Sequence, residues 1–378
     1  MKKSLLSLML LISGLSYSQS NEYNGYLEEL FIARQPSARA EAMGRGHVAD
    51  NQNDFGSFYN AALTSLSEGL KVNTSFSHNY YSTDSAFYNY FGASYKLKNI
   101  GTFSLSRYHF NYGQEFLYTT AYNPEGTGEK YQIYYDIYIL NYSREIFKDF
   151  YAGLNINLTD NHMPDISVFA QNSKKIVPSF DIGFLKKINL PVSSNSFLSQ
   201  SVNLGLSINN FTSAKYTYSD TVSSSDAYLP VIFRFGGSYN LNVKGNSIKK
   251  NGNVFSLLAH LEYEKVLNTA KYETYKIGGE VVVWDILALR AGWFSRNANI
   301  TRSVFSYNLG AFSQFTYGAG VKIPLDVIFN MKTPLSMSID YVNLELKNRE
   351  RNYMMGIEEQ ELKNYNTFSI NMNWVPGW

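Results

Sequence analysis

The sequence predicts an all-β fold: a transmembrane, antiparallel β-barrel of about fourteen strands that is closed by its last strand. The last strand-like run, 367–374, alternates strictly between apolar and polar residues. Its apolar face consists of Phe368, Ile370, Met372 and Trp374. Serine, threonine and asparagine occupy the other face, because successive side chains of a strand point to opposite sides. Similar runs fill most of the chain, and its start has the features of an export signal. These observations together are typical of an outer-membrane barrel.

The composition fits this fold and excludes several alternatives. The chain has 378 residues, of which 16% are aromatic and only 17% are charged, and its mean hydropathy is −0.25. This balance argues against a helical membrane protein and suits a barrel with one lipid-facing and one wet face. The formal net charge of +2 gives no reason to expect nucleic acid as a partner. Because cysteine is absent, disulfides and thiolate metal sites are excluded.

Residues 1–18 have the features of a cleaved signal peptide. Lys2 and Lys3 form the basic end, residues 5–15 form the apolar stretch, and residues 16–18 supply a small-x-small cleavage site. The apolar stretch is too short to span a bilayer as a helix. We therefore expect the protein to be exported and inserted into the outer membrane of a Gram-negative bacterium, where its first partner is outer-membrane lipid.

The mature chain divides into a plug or hatch segment, residues 19–69, and a transmembrane β-barrel, residues 70–378. The N-terminal segment has too little apolar surface to fold alone, so we expect it to pack inside or under the barrel rather than remain a mobile tail. The strand-like runs that follow are about 10–14 residues long, enough for tilted bilayer strands. Short and long connections mostly alternate, as they do in barrels whose short turns face the periplasm.

The side-chain types predict which residues of the barrel wall lie at the bilayer interfaces and which face the lumen. Aromatic residues are concentrated near the predicted strand ends, where we expect them to form girdles at the bilayer interfaces. These are Tyr80, Tyr81, Tyr88, Tyr90, Tyr134, Tyr135, Tyr216, Tyr218, Trp293 and Phe294. The lumen-facing positions are mostly serine, asparagine, threonine, glycine and charged residues rather than apolar ones. Four charges are expected to face the lumen and to fill it as a salt-bridge network: Arg234, Lys276, Glu280 and Arg290.

No pattern indicates an enzyme or a cofactor-binding protein. Residues 44–49 match a relaxed dinucleotide pattern, but no βαβ unit surrounds them. Residues 50–54 resemble part of a calcium loop but lack its glycine and its distal glutamate. The five histidines are scattered without metal-ligand spacing. We therefore expect no catalytic residue, no cofactor and no metal site.

Two short motifs lie in the N-terminal segment. Residues 36–44 read Pro-Ser-Ala-Arg-Ala-Glu-Ala-Met-Gly, and residues 60–63 read Asn-Ala-Ala-Leu. The first resembles the signature P-[DS]-A-R-x-x-x-[ML]-G and the second the element N-P-A-x-[LY], with Ala61 in place of the proline. Both belong to the PorV/PorQ branch of the FadL-like outer-membrane barrels, a branch associated with type IX secretion. The resemblance implies a fourteen-stranded barrel with an N-terminal hatch. The hatch residues would be Ser37, Ala38, Arg39, Met43, Gly44, Asn60 and Leu63.

The resemblance implies one expected function and leaves two others open. We expect a protein-binding adaptor of type IX secretion, which contacts a large translocon barrel or the C-terminal domain of secreted cargo. The alternatives are a FadL-like channel for hydrophobic small molecules and a barrel for surface display or adhesion. A lateral opening and an apolar lumenal pocket would favour the channel. A lumen filled by the plug and by paired charges would favour the adaptor.

Overall fold

The structure is a computed structural model that describes residues 35–52, 54–78, 87–117, 130–162, 176–192, 197–219, 224–245, 252–268, 273–297, 312–344 and 365–375. Its strands are β1 Leu70–His78, β2 Phe87–Leu97, β3 Gly101–Leu117, β4 Lys130–Phe147, β5 Phe150–His162, β6 Ile176–Leu190, β7 Leu198–Asn209, β8 Lys215–Ser219, β9 Ser224–Tyr228, β10 Ile232–Gly245, β11 Gly252–Val266, β12 Glu273–Val283, β13 Leu287–Asn297, β14 Phe312–Ile323, β15 Leu335–Leu344 and β16 Tyr365–Trp374. The helices are α1 Ala38–Ala42, α2 Gly56–Tyr59, a 3₁₀ helix at Ala61–Leu66 and α3 Leu325–Ile328. None of the described helices is long and apolar enough to cross a membrane.

Fourteen strands close into one antiparallel barrel, which confirms the predicted fold. Each strand pairs with its sequence neighbours, except that β7 pairs directly with β10 and the separate hairpin β8–β9 lies between them in the chain. The last strand closes the barrel on the first, with Phe368 opposite Phe76 and Trp374 opposite Leu70. The four apolar residues of β16 are among the exposed large hydrophobic side chains, so they lie on the outer wall.

The outer wall is a broad apolar surface. Leu105, Leu140, Leu261 and Phe315 are all more than half exposed, and similar residues recur around the barrel. An apolar area of this extent is stable only in contact with lipid, because in water it would drive association. The closed ladder also leaves no strand edge for lipid to meet. The barrel therefore spans a membrane.

The two ends of the barrel differ. At one end, here called the turn end, β1 begins and β16 ends, and tight turns at 98–100, 148–149 and 284–286 join the strands. Asn99, Asp149, Trp284 and Asp285 adopt positive φ in these turns. The opposite end, here called the loop end, carries the longer connections, most of whose residues lie outside the described ranges.

The expected aromatic girdles are wrong for half of the residues assigned to them. Five of these side chains are buried rather than lipid-facing: Tyr88, Tyr90, Tyr135, Tyr216 and Phe294. Tyr88 donates a hydrogen bond to the carbonyl of Gln35 inside the barrel. Tyrosine suits a wet lumen as well as an interface, so residue type alone does not separate the two faces of a strand. Tyr80, Tyr81 and the side chain of Tyr218 lie outside the described residues.

The connection 212–228, which the sequence predicts as a long outer loop, contains the hairpin β8–β9. This hairpin lies against the loop end of the lumen, because the Tyr216 hydroxyl donates to the carbonyl of Thr159 at 2.5 Å and is fully buried. Asn268 holds the base of the hairpin. Its side-chain oxygen accepts from the amide of Val231 at 2.7 Å, and its nitrogen donates to the carbonyl of Leu229 at 2.9 Å.

Candidate functional site: the plugged lumen

The described residues of the segment 35–69 are mostly buried and contact inward-facing side chains of the strands, and this segment is here called the plug. Two capped turns shape it. The Ser37 hydroxyl accepts the amide of Ala40 at 3.1 Å and begins α1. The Asn60 side chain accepts the amide of Ala62 at 3.0 Å and begins the 3₁₀ helix. Ala61 is the first residue of that helix, a position that proline also tolerates, so its replacement of the motif's proline preserves the turn.

The residues of the two motifs are all buried within the lumen: Ser37, Ala38, Arg39, Met43, Gly44, Asn60 and Leu63. Asn60 does more than cap a helix. Its side-chain nitrogen donates to the carbonyl of Val48 in the plug at 2.8 Å and to that of Phe184 in β6 at 3.1 Å. The motif asparagine therefore ties two parts of the plug to the barrel wall.

The barrel wall binds the backbone of the plug through polar side chains. The donors to plug carbonyls, with the residues that accept, are Asn155 to Ser57, Ser207 to Tyr59, Asn141 to Ala61, Ser238 to Ala49 and Thr316 to Ala42, at 2.6–3.0 Å. One carboxylate oxygen of Glu262 accepts the amides of His47 and Val48 at 2.6 and 2.8 Å. These bonds satisfy buried backbone groups that would otherwise be costly to bury.

Paired glycines bring the wall close enough for these bonds. Three pairs of glycines lie directly opposite each other on neighbouring strands, and together we call them the glycine seat. The pairs are Gly153–Gly183, Gly205–Gly236 and Gly278–Gly292. A Cβ atom on Gly278 would overlap the carbonyl of Met43, and one on Gly292 would overlap the amide of Gly44. The plug backbone therefore occupies the space that side chains would fill elsewhere.

Arg39 of the plug lies at the centre of a buried ion network. Its guanidinium donates to Asp50 of the plug at 2.5 Å and forms two bonds of 2.9 Å with Glu280 of β12. Glu280 also accepts from Arg290 at 2.5 Å, and Arg290 contacts Asp340 of β15 at 2.7 Å. The network thus joins the plug to three strands, and each of these residues is at most 7% exposed.

A second network lies on neighbouring strands. Arg234 bonds Glu264 at 2.7 Å, and Lys276 contacts both Glu264 at 2.8 Å and Glu262 at 2.9 Å. The four lumenal charges named from the sequence therefore lie in two paired networks. Sequence reasoning missed their partners Asp50, Glu262, Glu264 and Asp340. The alternation of β11 places Glu262 and Glu264 on the same face as His260. This pattern in the sequence could have identified the two glutamates as lumen-facing.

The buried Asp50 carboxyl predicts how the stability of the seated plug depends on pH. Burial raises its pKa, but the neighbouring Arg39 and His47 more than offset this and hold the pKa well below the usual aspartate range. Asp50 therefore stabilises the seated plug above the ordinary aspartate pKa, and this contribution is lost only as pH falls through the lowered value. We expect hydrogen exchange of the plug amides, corrected for intrinsic rates, to be unchanged between about pH 8 and about pH 5. Loss of protection within that range would contradict the assignment.

The loop-end part of the lumen beside β2–β4, β6 and β15 is apolar, whereas buried polar and charged side chains line the rest of the described lumen. Its wall residues form what we call the aromatic chamber: Tyr88, Tyr108, Phe110, Tyr135, Ile137, Ile139, Val177, Val342 and Leu344. The plug contributes Phe55, Phe58 and Tyr59 from below, and the hairpin contributes Tyr216, Ala227 and Leu229 from above. The chamber is closely packed, since the void beside Phe58 and Ile137 is only about 10 Å³.

The strand ladder is shortened beside this chamber. β14 pairs with β13 up to Phe312, but its described pairing with β15 covers only Gly318 to Ile323. Val342 and Leu344 of β15 belong to the aromatic chamber and lie at and beyond the last of these pairs. On the lumen side the seam is covered by the plug, because the Thr316 hydroxyl accepts the amide of Gly44 at 2.8 Å. The seam is therefore the place where the described wall is least closed.

Metal chemistry finds no support in this interior. Within the part of the chain that the structure describes, no group of three or more histidine, aspartate or glutamate side chains could hold a metal ion.

Comparisons with known proteins give only distant likenesses. No protein-family model and no curated protein matches the chain. Among solved structures, a FadL homologue of Pseudomonas aeruginosa is 13% identical, with a TM-score of 0.47 over 90% of this chain and 98% of that one. The TodX deltaS2S3 mutant monoaromatic hydrocarbon channel is 12% identical, with a TM-score of 0.45 over 89% and 98%. The Pseudomonas putida toluene transporter TodX is 11% identical, with a TM-score of 0.41 over 89% and 97%.

Proposed function

We propose that this protein is an outer-membrane channel that admits a hydrophobic small molecule, with the aromatic chamber as its binding site and the plug as its gate. The observation that carries the proposal is the division of the lumen. Beside β2–β4, β6 and β15 the loop-end part of the lumen is lined by aromatic and aliphatic side chains, whereas the half at the turn end is lined by ions and amides. An apolar chamber inside a barrel has no use in a porin for polar solutes, but it suits a hydrophobic guest.

The shortened seam supplies an entry path. A hydrophobic molecule dissolves in the lipid around the barrel, and the described β14–β15 ladder ends at Gly318 and Val342, next to the chamber residues Val342 and Leu344. The described void in the chamber, beside Phe58 and Ile137, is only about 10 Å³, too small for a guest. Binding therefore requires the hairpin β8–β9 or the plug to move, and release toward the turn end requires the plug to move.

A binding experiment tests the proposal. The purified barrel in detergent is titrated with N-phenylnaphthylamine, whose fluorescence rises in an apolar site. We expect the wild type to bind the dye and the variant Ile137→Thr with Ile139→Thr to bind about tenfold more weakly, because two hydroxyls replace apolar groups in the chamber.

The matched control carries the same two changes on the lipid-facing wall, Ile156→Thr with Ile277→Thr, since both residues are exposed there. It should bind the dye like the wild type. Equal weakening in both variants would place dye binding on the outer surface, and the chamber would lose its assigned role.

The adaptor of type IX secretion is the second candidate. It is favoured by the packing of the described lumen, where the void beside Phe58 and Ile137 is only about 10 Å³, and by the PorV/PorQ-like motifs around Arg39 and Asn60. Its partners would be a translocon barrel or secreted cargo. Affinity purification of the tagged barrel from its native outer membrane, in mild detergent, separates the candidates. Co-purification of a much larger barrel would favour the adaptor, and a barrel that emerges with bound hydrophobic compound would favour the channel.

A further inference from the structure

A sizeable cavity among the described residues lies beside the plug, on the opposite side from the aromatic chamber. This cavity, here called the vestibule, has a volume of about 350 Å³ and lies between the plug and strands β10–β16 and β1. Asp285 and Ile286 of the tight turn 284–286 line it, so it opens at the turn end. Its volume suits one or two side chains with their backbone, and not a folded domain.

Side chains on the closure seam leave hydrogen-bond acceptors unused in the vestibule wall. Asn371 is 4% exposed, and its nitrogen donates to Asp340 at 3.3 Å and to Ser338 at 3.2 Å. Its side-chain oxygen has no partner, and the same is true of the side-chain oxygen of Asn373. Buried acceptors of this kind call for a guest that donates hydrogen bonds.

The charges around the vestibule are unbalanced toward the negative. The cations are Arg39, Lys71, Arg290 and Lys322. The carboxylates are Asp54, Glu68, Glu280, Asp285 and Asp340. Four positive charges minus five negative charges leave a net charge of −1. A cation in the vestibule would therefore be attracted as well as hydrogen-bonded.

We propose that the vestibule binds an ammonium or guanidinium group that enters from the turn end. Both groups carry several N–H donors and a positive charge, which match the unused oxygens on the seam and the excess of carboxylates. Asp340 is the expected anchor, since it borders both Arg290 and Asn371. The site lies across the plug from the aromatic chamber, so its guest differs from the hydrophobic compound proposed above, and neither proposal depends on the other.

Such a group could come from a free polyamine or from a basic side chain of a polypeptide. Calorimetric titrations of the full-length barrel in detergent distinguish these sources. The probes are spermidine, a pentapeptide of glycine with two lysines, and the same peptide with both lysines acetylated. We expect the lysine peptide or spermidine to bind and the acetylated peptide to show no heat of binding. The stronger of the two binders identifies the source.

Three variants locate the site. Asp340→Asn should weaken binding about tenfold, because one carboxylate charge is lost at the anchor. Asn373→Asp should strengthen it severalfold, a gain that damage to the fold does not produce. Asp226→Asn removes a carboxylate from the hairpin at the loop end and should change nothing. The proposal is overturned if the acetylated peptide binds equally well, if no cationic probe binds, if calcium chloride binds in place of the organic cations, or if the vestibule variants behave like Asp226→Asn.

Discussion

Replacing Arg39 by methionine is expected to unseat the plug and open the barrel to ions. The change keeps the apolar volume of the side chain but leaves Asp50 and Glu280 as buried carboxylates without their shared partner. Removing one member of a buried ion network typically costs about 3–5 kcal/mol. The side-chain-to-backbone bonds that remain contribute about 1 kcal/mol each, so a loss of this size raises the fraction of time in which the plug is open. Conductance across a planar bilayer measures the opening: we expect the wild type to be closed and Arg39→Met to show current.

The control for Arg39→Met is Lys215→Met in the hairpin. Lys215 pairs with Asp226 at 2.6 Å, but both side chains are substantially exposed, so this pair adds little to stability. The control should remain closed. A closed Arg39→Met barrel with wild-type stability in urea would contradict the role given to the Arg39 network.

The double variant Gly278→Ala with Gly292→Ala is expected to displace the plug by steric means alone. The two new methyl groups would occupy the positions of the Met43 carbonyl and the Gly44 amide, so the backbone there must withdraw. The bonds from Thr316 to Ala42 and Gly44 would be lost with it. Overpacking of this kind costs about 1–3 kcal/mol per site. We expect trypsin to cut after Arg45 at least about tenfold faster than in the wild type, where Arg45 is buried.

A single alanine on the opposite face of the wall is the matched control. Gly237 adjoins the seat glycine Gly236, but the nearest atom to a Cβ there is a flexible leucine methyl at 3.4 Å. Gly237→Ala should leave cleavage after Arg45 unchanged. If the double variant were cut no faster than Gly237→Ala, the glycine seat would not be what holds the plug.

Local patterns in the sequence were sufficient to predict the barrel. The alternation within β7 and β16 fixes both the strands and their outward faces, because a strand with one face in lipid must keep its register. The hatch motifs likewise marked residues that lie in the lumen. These features depend on residues within about ten positions of each other. Such patterns can be recognised in the sequence before the fold is known.

Features that depend on contacts between distant residues could not be predicted. Arg39 and Glu280 are separated by 241 positions, and the sequence around each residue gives no sign that the two side chains form an ion pair. The glycine seat appears only when strand register brings Gly278 opposite Gly292. The apolar chamber was missed because Tyr88 and Ile137 fit a lipid-facing or a lumenal position equally well. The hairpin β8–β9 lies in a stretch whose length suggested a loop, and only its contacts with Thr159 place it over the lumen.

The most direct test of whether the plug is the gate is to cross-link the plug to the barrel wall. The hydroxyls of Ser57 in the plug and Ser106 in β3 are 3.3 Å apart, and the chain has no cysteine of its own. Ser57→Cys with Ser106→Cys can therefore form one engineered disulfide. Uptake of N-phenylnaphthylamine is then measured in cells whose lipopolysaccharide layer excludes the dye. We predict that the oxidised variant blocks uptake and that a reductant restores it to the wild-type rate. Uptake that is equally fast with the disulfide intact would contradict the claim that the plug is the gate.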